Sequence, residues 1–164
     1  MVTEADVEKL DNELLIHLPK SLREVGYAEP DVRKNPYGGV DFSYAGIFLH
    51  AKFYCTEGPQ LKLYIEREAS NGLVNKAVKR AEESGCSLEE EIKEIVRETL
   101  NASKTESQLR REKGYFQDRE VNYDGNRIRV DVRVKRYPKE DREYSSLVGD
   151  FWAIFAKPFI KLGR

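Results

Sequence analysis

Two predicted strands carry residues that come close to a metal-dependent hydrolytic site. Asp41 lies on the first strand, and Lys52 lies on the next strand in the chain. A divalent-metal shell of this type needs a second carboxylate two residues before the lysine, and that place is held by His50. The motif is therefore incomplete. We expect Asp41, His50 and Lys52 to lie on the solvent-facing side of their strands.

Basic and aromatic residues in the segment 115–137 form a second candidate site. The second half of this segment alternates apolar and charged residues, which indicates a strand with one buried and one solvated face. Cations and rings on the open face of a sheet can bind the phosphates and bases of single-stranded nucleic acid. The residues predicted for this role are Arg127, Arg129, Arg133, Lys135, Phe116 and Tyr137.

The same charges also fit a solvated surface whose cations and carboxylates pair with one another, and this is the commoner arrangement. The segment is predicted to be a β-hairpin with Asp124-Gly125 as its two-residue loop. This register places Val121 opposite Ile128 and Glu120 opposite Arg129. The first arm is then an edge strand, the valine-rich arm is more central, and the solvated face is only slightly positive.

The C-terminal segment 143–162 holds the densest cluster of large apolar side chains. They recur at helical spacing, and Pro158 is predicted to kink or end the helix. We favour a role in covering the sheet, because a one-sided sheet needs large apolar groups against it. If exposed, the cluster would instead provide anchors for a protein partner, or a contact with a membrane surface. The predicted anchors are Phe151, Trp152, Phe155 and Phe159.

Composition limits the remaining choices. The 164 residues suit one domain, 1–164, and the net charge of −1 does not demand a polyanionic partner. The two cysteines, Cys55 and Cys86, are too few for a disulfide framework or a zinc site, so we expect a reduced, cytoplasmic setting.

His17 has no second ligand at metal spacing. No cofactor and no membrane-spanning segment are predicted, and the abundance of charged residues would suit a heat-adapted source.

The hydrophobic patterns predict an α+β fold. An antiparallel sheet of about five strands has helices packed mainly on one face, in the order α-β-β-β-α-α-β-β-α. Residues 27–39 are predicted to be a loop, and residues 101–114 to be a flexible or helical connection. In element order alone, this arrangement is similar to small chaperone-like folds that bind secretion substrates.

Function is less strongly specified than fold. The sequence contains no glycine-rich phosphate loop, nucleophile motif or ligand cluster, which favours a non-enzymatic function. We therefore expect a protein-interaction module of adaptor or chaperone-like type that uses the apolar C-terminal segment and a sheet or helix surface, and for which a homodimer is one form. The alternative is a single-stranded nucleic-acid-binding protein that uses the outer face of the hairpin 115–137.

Overall fold

The computed structural model describes residues 3–26, 30–44, 46–56, 60–102 and 104–162. Its strands are β1 (Asp31–Lys34), β2 (Val40–Tyr44), β3 (Ile47–Thr56), β4 (Gln60–Glu68), β5 (Phe116–Asp124) and β6 (Arg127–Val134). They form one antiparallel sheet in the spatial order β1-β2-β3-β4-β6-β5. The valine-rich strand β6 therefore lies inside the sheet and β5 lies at its edge. Residues 57–59, whose sequence Glu57-Gly58-Pro59 is typical of a tight turn, lie outside the described residues.

Helices cover one face of this sheet. They are α1 (Glu4–Glu24), α2 (Asn71–Ser84), α3 (Leu88–Asn101), α4 (Glu106–Tyr115), α5 (Asp141–Phe151), a π-helical segment (Trp152–Ala156) and α6 (Lys157–Ile160). Their apolar sides form one buried core with the inward side chains of the strands. The predicted α+β class with one-sided helix packing is confirmed, with six strands in place of about five.

Helix α1 shows how local sequence and packing combine. Thr3 caps the helix, and its hydroxyl accepts a hydrogen bond from the backbone N–H of Asp6 in a reciprocal capping box. Pro19 lacks the N–H that a helix interior uses, yet the helix continues through it to Glu24. Leu18 and Leu22, on either side of the proline, are fully buried. Their packing against the core keeps the helix continuous.

Strand β1 lies inside the segment 27–39, which was predicted to be a loop. It is only four residues long and pairs with β2 at the edge of the sheet. Val32 is its one apolar side chain and is half-buried, so the segment has none of the alternation that identifies a longer strand. Short, charged edge strands of this kind owe their form to the neighbouring strand.

The β5–β6 hairpin turns one residue later than predicted. Asp124 pairs with Arg127, which leaves Gly125 and Asn126 as the loop. Both have positive φ angles, 54° and 66°, as a type I′ turn requires. Both predicted pairings are therefore wrong, because Glu120 lies opposite Asp131 and Val121 lies opposite Val130.

A β-bulge in strand β5 changes which side chains face the core. The register shifts between Gln117 and Glu120, and Asp118 adopts a positive φ of 55°. An extra residue in one strand reverses the alternation beyond it. As a result Phe116 faces the core, where its ring meets that of Phe155 edge-on with centroids 5.1 Å apart.

The C-terminal helical run is continuous from α5 through the π segment into α6. The change of hydrogen-bonding pattern precedes Pro158: the N–H of Lys157 donates to the carbonyl of Trp152, five residues back. Pro158 does not end the helix, which continues to Ile160, and the π segment ends two residues before this proline, which has no N–H. The predicted connection 101–114 is largely helical, because α4 begins at Glu106 after a Thr105 cap.

Candidate functional site

The face of the sheet opposite the helices is the candidate site, and we call it the open face. Inward side chains of the central strands are buried, so their neighbours in sequence point to the other side. The residues of the open face are Asp41, Phe48, His50, Lys52, Tyr54, Lys62, Tyr64, Glu66, Arg127, Arg129, Asp131 and Arg133. Aromatic rings thus alternate with both signs of charge.

A hydrogen-bonded relay crosses three strands of the open face. Asp41 on β2 lies directly opposite His50 on β3, and its Oδ1 is 2.7 Å from His50 Nδ1. The other ring nitrogen, Nε2, is 3.1 Å from the Tyr64 hydroxyl on β4. Both nitrogens of the imidazole are therefore engaged, which fixes the orientation of the ring. The predicted solvent-side placement of Asp41, His50 and Lys52 agrees with these positions, although His50 is largely covered by its partners.

The loop between β1 and β2 forms one wall of a depression beside this relay. The side-chain amide of Asn35 donates to both carboxylate oxygens of Asp41, at 3.1 and 3.3 Å. Lys52 Nζ donates to the carbonyl oxygen of Tyr37 at 3.1 Å, which ties the loop to β3. The resulting depression has a volume of about 370 Å³ and is bordered by Phe48 and Arg127. The loop thus shapes a concave surface on a sheet that would otherwise be flat.

Gly39 lets this loop approach the sheet. Its backbone N–H donates to Asp11 Oδ2 on helix α1 at 3.0 Å, so the loop is also attached to the helical layer. Burial raises the pKa of the Asp11 carboxyl, while this hydrogen bond opposes the rise. On the other side, a Cβ at position 39 would lie 2.5 Å from the Ala51 carbonyl oxygen. Only glycine fits between these two contacts.

Replacing Gly39 by alanine is expected to lower the free energy of unfolding by about 2 kcal/mol or more, because the added Cβ meets rigid backbone at an unfavourable φ. Gly46 is a matched control, since its φ of 80° is close to the 77° of Gly39 and its added Cβ would touch nothing. Gly46→Ala should lower the free energy of unfolding by only about 1 kcal/mol, which is the cost of a positive φ for a residue that has a Cβ. Urea denaturation measures the free energy of unfolding of the two variants. Equal losses of stability would show that the close approach of residue 39 to the Ala51 carbonyl does not limit the residue at that position.

A second cluster on the open face is built around Arg129. Its guanidinium carbon lies 3.8 Å from the centroid of the Tyr64 ring, and its Nε and Nη2 donate to Asp131 at 2.8 and 2.9 Å. The Tyr54 hydroxyl donates to the same carboxylate at 2.8 Å. Stacking and paired hydrogen bonds together hold the guanidinium in one plane. Two tyrosines, one arginine and one aspartate therefore act as a single rigid unit.

The phenols of this unit are poor candidates for a catalytic nucleophile or general base. Burial and the hydrogen bond to Asp131 raise the pKa of Tyr54 to about 12. Burial also raises the pKa of Tyr64. A phenolate at neutral pH is needed for a tyrosine nucleophile or base, and both shifts disfavour it. Both phenols therefore stay protonated at neutral pH.

Four of the six residues predicted to bind nucleic acid lie on or beside the open face, and each is already engaged. Arg127 pairs with Glu66 at 3.3 Å and Arg129 pairs with Asp131. Arg133 pairs with Asp118 at 3.1 Å. Lys135 Nζ donates to the backbone carbonyl of Lys113 at 2.6 Å. The charges of the three arginines are therefore largely compensated within the protein, whereas Lys135 contacts an uncharged carbonyl.

Phe116 and Tyr137 lie away from the other four. Phe116 is buried in the core, because the bulge reverses the alternation of β5 on which its placement was based. Tyr137 is half-buried and packs against the edge of the same core. The prediction that Phe116 belongs to the outer face is wrong, since its ring does not reach that surface.

The residues predicted as apolar anchors are all in the core. Phe151, Trp152, Phe155 and Phe159 are each less than one-tenth exposed, and Phe53 meets Phe151 edge-on with centroids 6.1 Å apart. These side chains could anchor a partner only if they were exposed, and in the folded chain they are buried. The segment instead covers the sheet, which is the alternative that the sequence favoured.

Sequence reasoning missed Tyr54, Tyr64, Phe48 and Tyr37 as site residues. Tyr64 and Lys62 stand between the buried residues of β4, so strict alternation was the signal that placed them on the open face. Nothing local indicates that Tyr64 meets both His50 and Arg129, because these contacts join three strands. Tyr37 is 90% exposed at the tip of the 35–39 loop, where no periodicity applies.

The fold and the site together define an α+β protein with a one-sided antiparallel sheet and a polar, aromatic open face. Comparisons with protein-family models, with curated proteins and with solved structures give no match for the chain. Among the described residues, no three His, Cys, Asp or Glu side chains converge as metal ligands. Within the same ranges, no helix combines the length and apolar character that crossing a membrane requires.

Proposed function

We propose that this protein is a non-enzymatic interaction module, of adaptor or chaperone-like type, that binds a protein partner through the open face of its sheet. The observation that supports this most is the pair of exposed rings beside a fixed polar surface. Phe48 is 53% exposed and Tyr37 is 90% exposed, and both border the depression over His50 and Tyr64. Aromatic residues and arginine are the groups enriched in protein–protein interfaces.

The charge of the open face favours a protein partner over a polyanion. Six cations lie on the open face or beside it, and five carboxylates lie on the same or the adjoining strand, so the two signs nearly balance. The cations are Lys52, Lys62, Arg127, Arg129, Arg133 and Lys135, and the carboxylates are Asp41, Glu66, Asp118, Glu120 and Asp131. Binding to single-stranded nucleic acid depends on uncompensated cations that displace counterions. A balanced surface suits a partner that also carries both signs, including a second copy of this chain in a homodimer.

Single-stranded nucleic acid remains the second candidate, and one observation favours it. Tyr54 and Tyr64 lie on adjacent central strands, with their rings edge-on at 5.6 Å. Rings in such positions can stack bases.

We propose a cytoplasmic location for either activity, supported by the free thiols of Cys55 and Cys86.

Site-specific photo-cross-linking tests the proposal. Phe48 is replaced by the photoreactive residue p-benzoylphenylalanine, and the full-length protein is irradiated in the cells that naturally produce it. Ile16 is the matched control, because it is an equally large apolar residue, 69% exposed, on helix α1 of the opposite layer. We expect a discrete protein adduct from position 48 that is absent from position 16. An adduct of the mass of two chains would identify the partner as a second copy.

Three results would contradict the proposal. Nuclease-sensitive adducts from position 48 would replace it with the nucleic-acid alternative. Equal labelling from positions 48 and 16, or no adduct from position 48, would mean that the open face is an ordinary solvated surface.

A further inference from the structure

Helices α1 and α5 are in contact within the helical layer, and polar groups join them at one end of this contact. The Tyr144 hydroxyl donates to the Asp6 carboxylate at 2.8 Å. Lys9 pairs with Asp141, and its ammonium nitrogen also lies 4.6 Å from the centroid of the Tyr144 ring. Each of these polar and charged groups therefore has a partner on the other helix.

His17 lies farther along α1 and has no such partner. A Cβ added to Gly149 of α5 would lie 3.7 Å from His17 Cε1, so the imidazole packs against the backbone of that helix. The ring atom bonded to Cε1, Nε2, is shielded from water and forms no hydrogen bond with any described residue. The only other histidine of the chain, His50, differs because both of its ring nitrogens are engaged. The contact between α1 and α5 thus contains a titratable ring whose buried nitrogen is unpaired.

We infer that His17 makes the contact between α1 and α5 sensitive to acid, because a proton added to its buried nitrogen weakens that contact. The neutral ring can carry its proton on Nδ1, which leaves only a lone pair at the buried position. The imidazolium carries an N–H on both nitrogens, so Nε2 would become a charged donor with neither water nor an acceptor. The open face lies on the opposite side of the sheet, so this acid sensitivity is independent of the proposed function.

The charges around His17 do not offset its burial. Three charged side chains act on the ring, and all of them lie on α1: Glu13, Lys20 and Glu24. The two glutamates favour the protonated ring and the lysine opposes it. Helix α5 presents the uncharged Gly149 to the ring, and the carboxylate of the next residue, Asp150, pairs with Arg111 of α4 at 3.2 Å. Burial has the largest effect and lowers the pKa of His17.

Nuclear magnetic resonance of the intact protein gives the first test. The Hε1 signal of His17 is followed from about pH 8 to about pH 5, and it is assigned with His50→Gln, which leaves one histidine. We expect a pKa below 6.5, the ordinary value for histidine, and a Gly149 amide signal that shifts with the same midpoint. A midpoint at or above 6.5 would overturn the proposal. A Gly149 signal that does not follow His17 would also overturn it.

Urea denaturation at several pH values gives the second test. The unfolded chain binds more protons at this site than the folded chain, so stability should fall as the pH drops below about 6.5. One such proton raises the unfolding equilibrium constant by up to about tenfold for each pH unit. His17→Leu removes the titrating ring and keeps an apolar contact with α5. The wild type should therefore lose stability relative to this variant as the pH falls.

Asn12→His is the matched control, because it adds a histidine at an exposed position on the same helix. It should leave the pH dependence of stability unchanged. Parallel loss of stability by the wild type and His17→Leu between about pH 7.5 and about pH 5.5 would overturn the proposal. An equal change of pH dependence in Asn12→His and His17→Leu would do the same. If His17→Leu does not fold, the titration of His17 and Gly149 decides by itself, because it does not use that variant.

Discussion

Arg67→Met is expected to lower the free energy of unfolding by about 3–5 kcal/mol. Arg67 is 1% exposed and belongs to the inner face of β4. Its Nη1 lies 3.3 Å from each of the carbonyl oxygens of Phe159, Ile160 and Leu162, and its Nε donates to the carbonyl of Glu68 at 3.0 Å. Among the described residues, no carboxylate pairs with it. The partners of this buried cation are backbone carbonyls.

These contacts explain the size of the expected loss. The last carbonyls of a helix have no partner within the helix, and they form the negative end of its dipole. Arg67 satisfies them and joins the end of the C-terminal run to the centre of the sheet. Burial lowers the pKa of the guanidinium, but arginine stays charged at neutral pH. Methionine fills much of the same volume and removes the Arg67 donor from all three buried carbonyls, of which only that of Phe159 also accepts a backbone N–H, from Leu162, among the described residues.

Urea denaturation measures the effect, with Arg97→Met as the control. Arg97 is exposed and pairs with Glu94 one helical turn away, so its replacement should change stability by less than about 0.5 kcal/mol. Arg67→Lys should lower the free energy of unfolding by an amount between those of Arg67→Met and Arg97→Met. A lysine keeps the charge, but its ammonium group cannot reach as many carbonyl oxygens as the wider guanidinium does. If Arg67→Met lowers the free energy of unfolding by less than about 1 kcal/mol, water must hydrogen-bond to the carbonyl oxygens at the helix end in place of the arginine.

Phe155→Ala is expected to lower the free energy of unfolding by about 3–5 kcal/mol, because the surrounding side chains cannot fill the cavity that a buried ring leaves. Phe155 is 1% exposed in the π segment, and its ring meets that of Phe116 edge-on. Edge-to-face pairs add to the stabilisation that burial provides. The substitution therefore removes both the apolar contact area and a specific ring contact.

Phe48→Ala is the matched control for this measurement. It removes the same side chain from a position that is 53% exposed, so the free energy of unfolding should change by about 0.5 kcal/mol or less. Similar losses at the two positions would contradict the division into a helix-covered core and an open face. A small loss at Phe155 would return the C-terminal aromatic residues to consideration as anchors for a partner.

Local signals in the sequence predicted much of the fold. In strand β4 the alternating apolar residues Leu61, Leu63 and Ile65 are buried, and in β6 the buried residues are again the alternating apolar ones. Ser70 and Gly85 bound helix α2 as cap residues. These features depend on neighbours within a few residues, since periodicity and capping are properties of a single helix or strand.

The candidate site was less accessible to prediction. Asp41, His50 and Arg129 were identified as residues of the solvated face, but the relay through Tyr64 was not. Phe116 was assigned to the wrong face because a bulge leaves no mark in the alternation of a short strand. Contacts between strands depend on their register, and a shift of a single residue changes every partner.

The sequence by itself determined an α+β chain whose strands are apolar on one side and polar on the other, because that division follows from side-chain alternation. Only the tertiary structure decided that β1 joins the sheet edge, that Arg67 meets the end of the last helix, and that Arg129 lies on Tyr64. Each of these is a contact between distant parts of the chain. Such contacts form only where packing of the whole core brings the elements together.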